Sequence, residues 1–60
     1  METSWQYLGY TIKKVYDGEK DDGSKRYRYE IFSDGIFECY EYTLEHARFY
    51  CENGYSIWAI

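Results

Sequence analysis

The chain contains no proline, a single histidine and only two cysteines. Without proline, no slow prolyl isomerisation intervenes in folding. One histidine leaves little material for acid–base chemistry or metal binding. His46 falls in the first turn of an expected helix, and nothing in the sequence orients it as a catalytic group. Cys39, Cys51 and His46 are too widely spaced for a zinc signature. Asp21-Asp22 sits in a polar stretch without the regularly spaced oxygen ligands of a calcium loop. No glycine pattern for nucleotide phosphates occurs. The sequence therefore points to no enzyme, no metal and no cofactor.

Positive charge is also scarce. Seven lysines and arginines face eleven acidic residues, a formal net charge of -4. This balance argues against a nonspecific nucleic-acid binder, and no direct nucleic-acid binding is expected. The acidic excess is too small to mark a nucleic-acid mimic. No apolar run is long enough to span a membrane. The opening Met1-Glu2-Thr3-Ser4-Trp5 lacks the basic and apolar segments of a secretion signal. The expectation is a complete, cytoplasmic product. Thiols stay reduced in that compartment. Cys39 and Cys51 are accordingly expected as free, small buried hydrophobes, with one disulfide between them as the alternative.

What the chain has in excess is aromatic residues: fourteen of sixty, nine of them tyrosine. Sixty residues make one domain, residues 1–60. A chain of this length buries only about 60% of the surface its unfolded form exposes. So small a core cannot hold fourteen rings, and several must lie on the surface, where contiguous aromatic area signals a partner.

Alternating apolar and polar residues predict a first strand over Trp5–Tyr16, bent at Gly9. Leu8, Tyr10 and Ile12 share one face of it, and Trp5, Tyr7 and Val15 the other. Residues 17–25 contain no apolar side chain and read as a mobile polar loop. A second strand, Arg26–Phe32, and a third, Ile36–Tyr42, flank Asp34-Gly35, a strong hairpin signal. A two-residue turn there pairs Phe32 with Phe37, Arg28 with Glu41 and Tyr29 with Tyr40. A three-residue loop with a bulge pairs Ile31 with Phe37 and Tyr29 with Cys39, and sets Glu30 against Glu38. The first register is preferred because its cross-strand pairs are favourable.

Thr43–Asn53 reads as a helix, capped by Thr43 with Glu45 in its first turn and stopped by Gly54. Leu44, Ala47 and Cys51 recur at helical spacing. Tyr55–Ile60 reads as a last strand, pairing with the first strand or with another subunit. The expected fold is α+β: a three-stranded antiparallel meander, one short helix on one face, and a C-terminal strand (β-β-β-α-β). Its expected core is Leu8, Tyr10, Ile12, Tyr27, Tyr29, Ile31, Leu44 and Ala47.

The run Arg26-Tyr27-Arg28-Tyr29 has the composition of a single-strand nucleic-acid site. In a strand, however, its arginines and tyrosines point to opposite faces. Core tyrosines behind a charged face, with Glu30 and Glu41 near the arginines, explain it better. One helix covers one sheet face, so aromatic residues on the other are the candidates for partner contact. Those candidates are Phe32 and Phe37, flanked by Glu30 and Glu41, with Trp5, Tyr7 and, on the last strand, Trp58.

The succession Gly9-Tyr10-Thr11-Ile12, the Asp34-Gly35 hairpin and Thr43-Leu44-Glu45-His46-Ala47 opening a helix resembles small acidic orphan proteins of phages and mobile elements. Anti-CRISPR inhibitors are among these. The resemblance is one of element pattern over most of the chain. It implies a noncatalytic inhibitor of a host defence or nucleic-acid-handling complex, and assigns no residues. The alternative is a homodimer with a structural or accessory role.

Overall fold

Four strands and a helix succeed one another in the computed structural model, which describes residues 3–59. β1 (Thr3–Tyr7), β2 (Tyr10–Glu19), β3 (Lys25–Ser33) and β4 (Ile36–Glu41) form one antiparallel sheet in the order β1-β2-β3-β4. Helix α1 (Leu44–Asn53) packs on one face of it, and a single 3-10 turn, Ile57–Ala59, follows. The order is β-β-β-β-α, which corrects the expected β-β-β-α-β at both ends.

At the N-terminal end, Trp5–Tyr16 is a hairpin, not one strand. Leu8 and Gly9 both adopt left-handed backbone, with φ of 50° and 84°, and reverse the chain in two residues. Such a turn matches the twist of the strands it joins. Leucine seldom occupies this region, so the sequence gives the reversal little local signal. The turn pairs Tyr7 with Tyr10 and Trp5 with Ile12. Trp5 and Tyr7 thereby join the face of Ile12. Leu8 leaves the expected core and is 63% exposed at the turn.

At the C-terminal end, the expected strand Tyr55–Ile60 is absent over its described residues. Ile57–Ala59 forms a 3-10 turn instead, closed by Ala59 N–H donating to the Ser56 carbonyl at 2.9 Å. Ile60 lies outside the described residues, as do Met1 and Glu2. The last strand is expected beside the first, Trp5–Tyr16; that stretch instead folds back on itself, and β1 takes the edge of β2.

The Asp34-Gly35 turn has two residues as expected, with φ of 51° and 79°, and Phe32 pairs with Phe37. The rest of the expected register does not follow. An irregularity past Phe32 brings Ile31 opposite Cys39, Glu30 opposite Tyr40 and Tyr29 opposite Glu41. Glu38 is the extra residue of this bulge, which turns every later β4 side chain to the other face. A second irregularity, between Tyr16 and Glu19, accommodates Asp17 and Gly18 within β2. The polar connection outside the strands spans residues 20–24. Asp22 orders it by accepting from the Ser24 amide at 2.9 Å and its hydroxyl at 2.6 Å.

The helix follows from its caps. Thr43 accepts from the His46 amide at 3.0 Å, and the left-handed Gly54 donates to the Tyr50 carbonyl at 2.7 Å. Its Ala47 and Cys51 close over Ile12 and Ile31, and these four form the buried apolar core. Tyr7, Tyr10, Tyr29, Cys39, Leu44 and Tyr50 pack around them. Fully burying each isoleucine side chain stabilises the fold by about 1.5–3 kcal/mol. Two tyrosines tie the layers together at the rim: Tyr50 donates to Glu38 at 2.8 Å, and Tyr7 donates to Glu52. The molecule is a slab of 34 × 30 × 16 Å. No described element covers the sheet face opposite α1, and no described helix is long and apolar enough to cross a membrane.

Candidate protein-binding surface

The ladder pairings define the uncovered face row by row. One row runs Gln6, Thr11, Phe32, Phe37, and the next Ser4, Lys13, Glu30, Tyr40. Val15 and Arg28 open a third. The β1 side of the face is therefore small and polar, and its aromatic content lies toward β4. Phe32 and Phe37 meet edge to face with centroids 5.6 Å apart. Tyr40 and Tyr42 meet likewise at 5.5 Å. Phe37, Tyr40 and Tyr42 are each about half exposed. The four rings form a stripe along one side of the slab.

Charge borders the stripe in both signs. Asp17 bridges Arg26 at 3.3 Å and Arg28 at 2.8 Å, and Arg28 also binds Glu30 at 2.8 Å. Asp17 can reach both arginines because the β2 bulge presents it between them. The cations also rest on rings. Lys13 lies 4.9 Å from the Phe32 centroid, Arg28 5.9 Å from Tyr40, and Arg26 5.7 Å from Tyr42. Such pairs contribute about 0.5–1 kcal/mol each at exposed sites. A hydrogen bond with Tyr40 is the main cause raising the Tyr42 phenol above its ordinary pKa, so Tyr42 presents a neutral hydroxyl.

Of the residues singled out from the sequence, Phe32, Phe37 and Glu30 come together here. Glu41 does not. The β4 bulge turns it to the helix side, where it is 3% exposed opposite Tyr29. Arg28 consequently pairs with Asp17 and Glu30 instead of Glu41. Trp5 and Tyr7 lie on the helix-covered face. Trp5 packs against Tyr29 at 6.1 Å, and Tyr7 is hydrogen-bonded to Glu52. Trp58 stands apart in the 3-10 turn, 74% exposed and edge-on to His46 at 5.3 Å. Sequence reasoning missed Tyr40, Tyr42, Lys13 and Asp17. Tyr40 and Tyr42 do share a period-two face, but only the bulge shows which face that is.

Both cysteines are free. Burial pushes the Cys39 thiol up to about 11 and raises Cys51 as well, so neither is a thiolate at neutral pH. Comparison with known proteins finds no match to the chain among family models, curated proteins or solved structures.

Proposed function

We propose that this chain is a small noncatalytic protein-binding module that acts through the uncovered sheet face. The observation that carries the reading is the stripe of Phe32, Phe37, Tyr40 and Tyr42 on a face that no described element covers. The solvent face of an antiparallel sheet ordinarily carries polar side chains. Aromatic rings there offer large contact area at low entropic cost, as in binding surfaces. The salt-bridged border of Asp17, Arg26, Arg28 and Glu30 supplies a polar rim.

The role that suits such a module is to occupy a surface of a larger complex and so inhibit or modulate it. Phage and mobile-element inhibitors of host defence or nucleic-acid-handling complexes, whose element pattern the sequence resembles, work in that way. A cytoplasmic setting belongs to this reading, and the two free thiols support it. A homodimer is the second reading. The face carries both charge signs beside its rings, and a two-fold contact could match Lys13 or Arg28 of one copy to Glu30 of another.

The test is the Phe32→Ala/Phe37→Ala variant. It should keep the circular dichroism spectrum of the parent, since neither ring belongs to the buried core, with a urea midpoint lowered only by the loss of the Phe32–Phe37 and Lys13–Phe32 contacts. It should lose partner binding by about 2 kcal/mol or more, the scale of an interface hot spot, or turn a dimer into a monomer. A folded variant with assembly and binding unchanged would refute the proposal.

A further inference from the structure

β4 pairs with β3 only from Tyr29 to Ser33, leaving Lys25–Arg28 with β2 on one side and no described strand on the other. Beside this free edge lies a groove of about 370 Å³. Four of the seven lysines and arginines of the chain line it: Lys14, Lys20, Lys25 and Arg26. Its remaining walls are the rings of Tyr27, Tyr29 and Tyr42, and no described carboxylate lines it. Arg26 is held by Asp17 at 3.3 Å, and the Lys14 ammonium rests 4.5 Å from the Tyr27 centroid. Lys20 and Lys25 are exposed.

We propose that this groove binds an extended acidic peptide segment of a partner protein, which adds as a strand along Lys25–Arg28. An open strand edge offers backbone donors and acceptors that only another backbone fully satisfies. The cations select carboxylates on the incoming strand, and the tyrosines cover the stems of its side chains. A nucleic acid fits less well. Its affinity comes from many phosphate contacts, whereas the groove holds four cations and its free edge offers backbone groups that a nucleic acid does not pair. The groove adjoins the stripe at Tyr42 and Arg26 but shares neither Phe32 nor Phe37 with it.

A fluorescein-labelled peptide of alternating glutamate and valine tests the proposal by anisotropy. An alternating lysine–valine peptide and an oligothymidylate serve as comparisons. The glutamate peptide should bind most tightly, more weakly as salt rises, and should slow hydrogen exchange at Lys25–Arg28. Lys20→Glu/Lys25→Glu should weaken it about tenfold or more. Lys20→Gln/Lys25→Gln guards against misfolding and should weaken it less. Phe32→Ala/Phe37→Ala should leave it unchanged, which keeps this test distinct from that of the sheet face. The proposal is overturned if the glutamate peptide fails to bind, if the oligothymidylate binds more tightly, if protection appears elsewhere, or if the folded lysine variants bind as the parent does.

Discussion

Ile31→Ala tests the core most sharply, because Ile36 on the neighbouring strand provides its control. Ile31 is fully buried, whereas Ile36 is 69% exposed. Truncation to alanine removes the same three carbons at both positions. At Ile31 the lost transfer energy is about 2.4 kcal/mol, from about 0.8 kcal/mol per carbon. The cavity left beneath α1 raises the cost to about 3–4 kcal/mol. A domain of this length is stable by about 3–9 kcal/mol in all, so the variant sits near its unfolding threshold. Urea melts followed by circular dichroism should be run in the cold, with Ile31→Val as a milder companion losing about 0.5–1.5 kcal/mol. Ile36→Ala should stay within about 0.5 kcal/mol of the parent. If Ile31→Ala costs no more than Ile36→Ala, the core has been misplaced.

Leu8→Asn should raise the urea midpoint, by up to about 1 kcal/mol of stability, because asparagine accepts the left-handed backbone that leucine resists; a lower midpoint would contradict the Leu8-Gly9 turn. The phenols of Tyr7 and Tyr50 are raised in the folded state, first by their hydrogen bonds to Glu52 and Glu38. Their contribution is therefore complete below the unfolded value of about 10 and is lost as pH rises through the higher folded values. Alkaline urea melts should show stability falling above about pH 10, with a shallower fall in Tyr7→Phe/Tyr50→Phe; equal slopes would contradict the assignment. Native Cys39 and Cys51 should react slowly with a disulfide reagent at neutral pH, and Cys39→Ser/Cys51→Ser should still fold. Rapid labelling of the folded protein would contradict their burial.

Local chemistry made parts of this fold legible from residues alone. Thr43 and Gly54 bracket the helix through backbone preferences that act within one turn. Asp34-Gly35 announced its hairpin for the same reason. Ile12, Ile31 and Ala47 were readable as core from their periodicity. The failures also have physical causes. Leu8-Gly9 is a turn imposed by strand pairing, and its leucine opposes the required backbone. The Glu38 bulge leaves no composition signature, yet it decides that Tyr40 faces out and Glu41 faces in. An error of one residue in register inverts every side chain beyond it. Phe32, Phe37 and Glu30 precede or adjoin the bulge, and their shared face was readable. Trp5 and Tyr7 were assigned to the wrong face because one missed turn inverted them.

The central claim is that the sheet face, not the helix side, meets the partner. Site-specific photo-crosslinking tests it most directly, with benzoylphenylalanine placed at position 37 or, as a control, at position 55. Tyr55 is as exposed as Phe37 but packs against Phe49 of the helix. The account predicts one discrete adduct from position 37, to a partner or to a second copy, competed away by unlabelled parent protein and not by Phe32→Ala/Phe37→Ala. Adducts from position 55 with none from position 37, or adducts that both proteins compete equally, would contradict it.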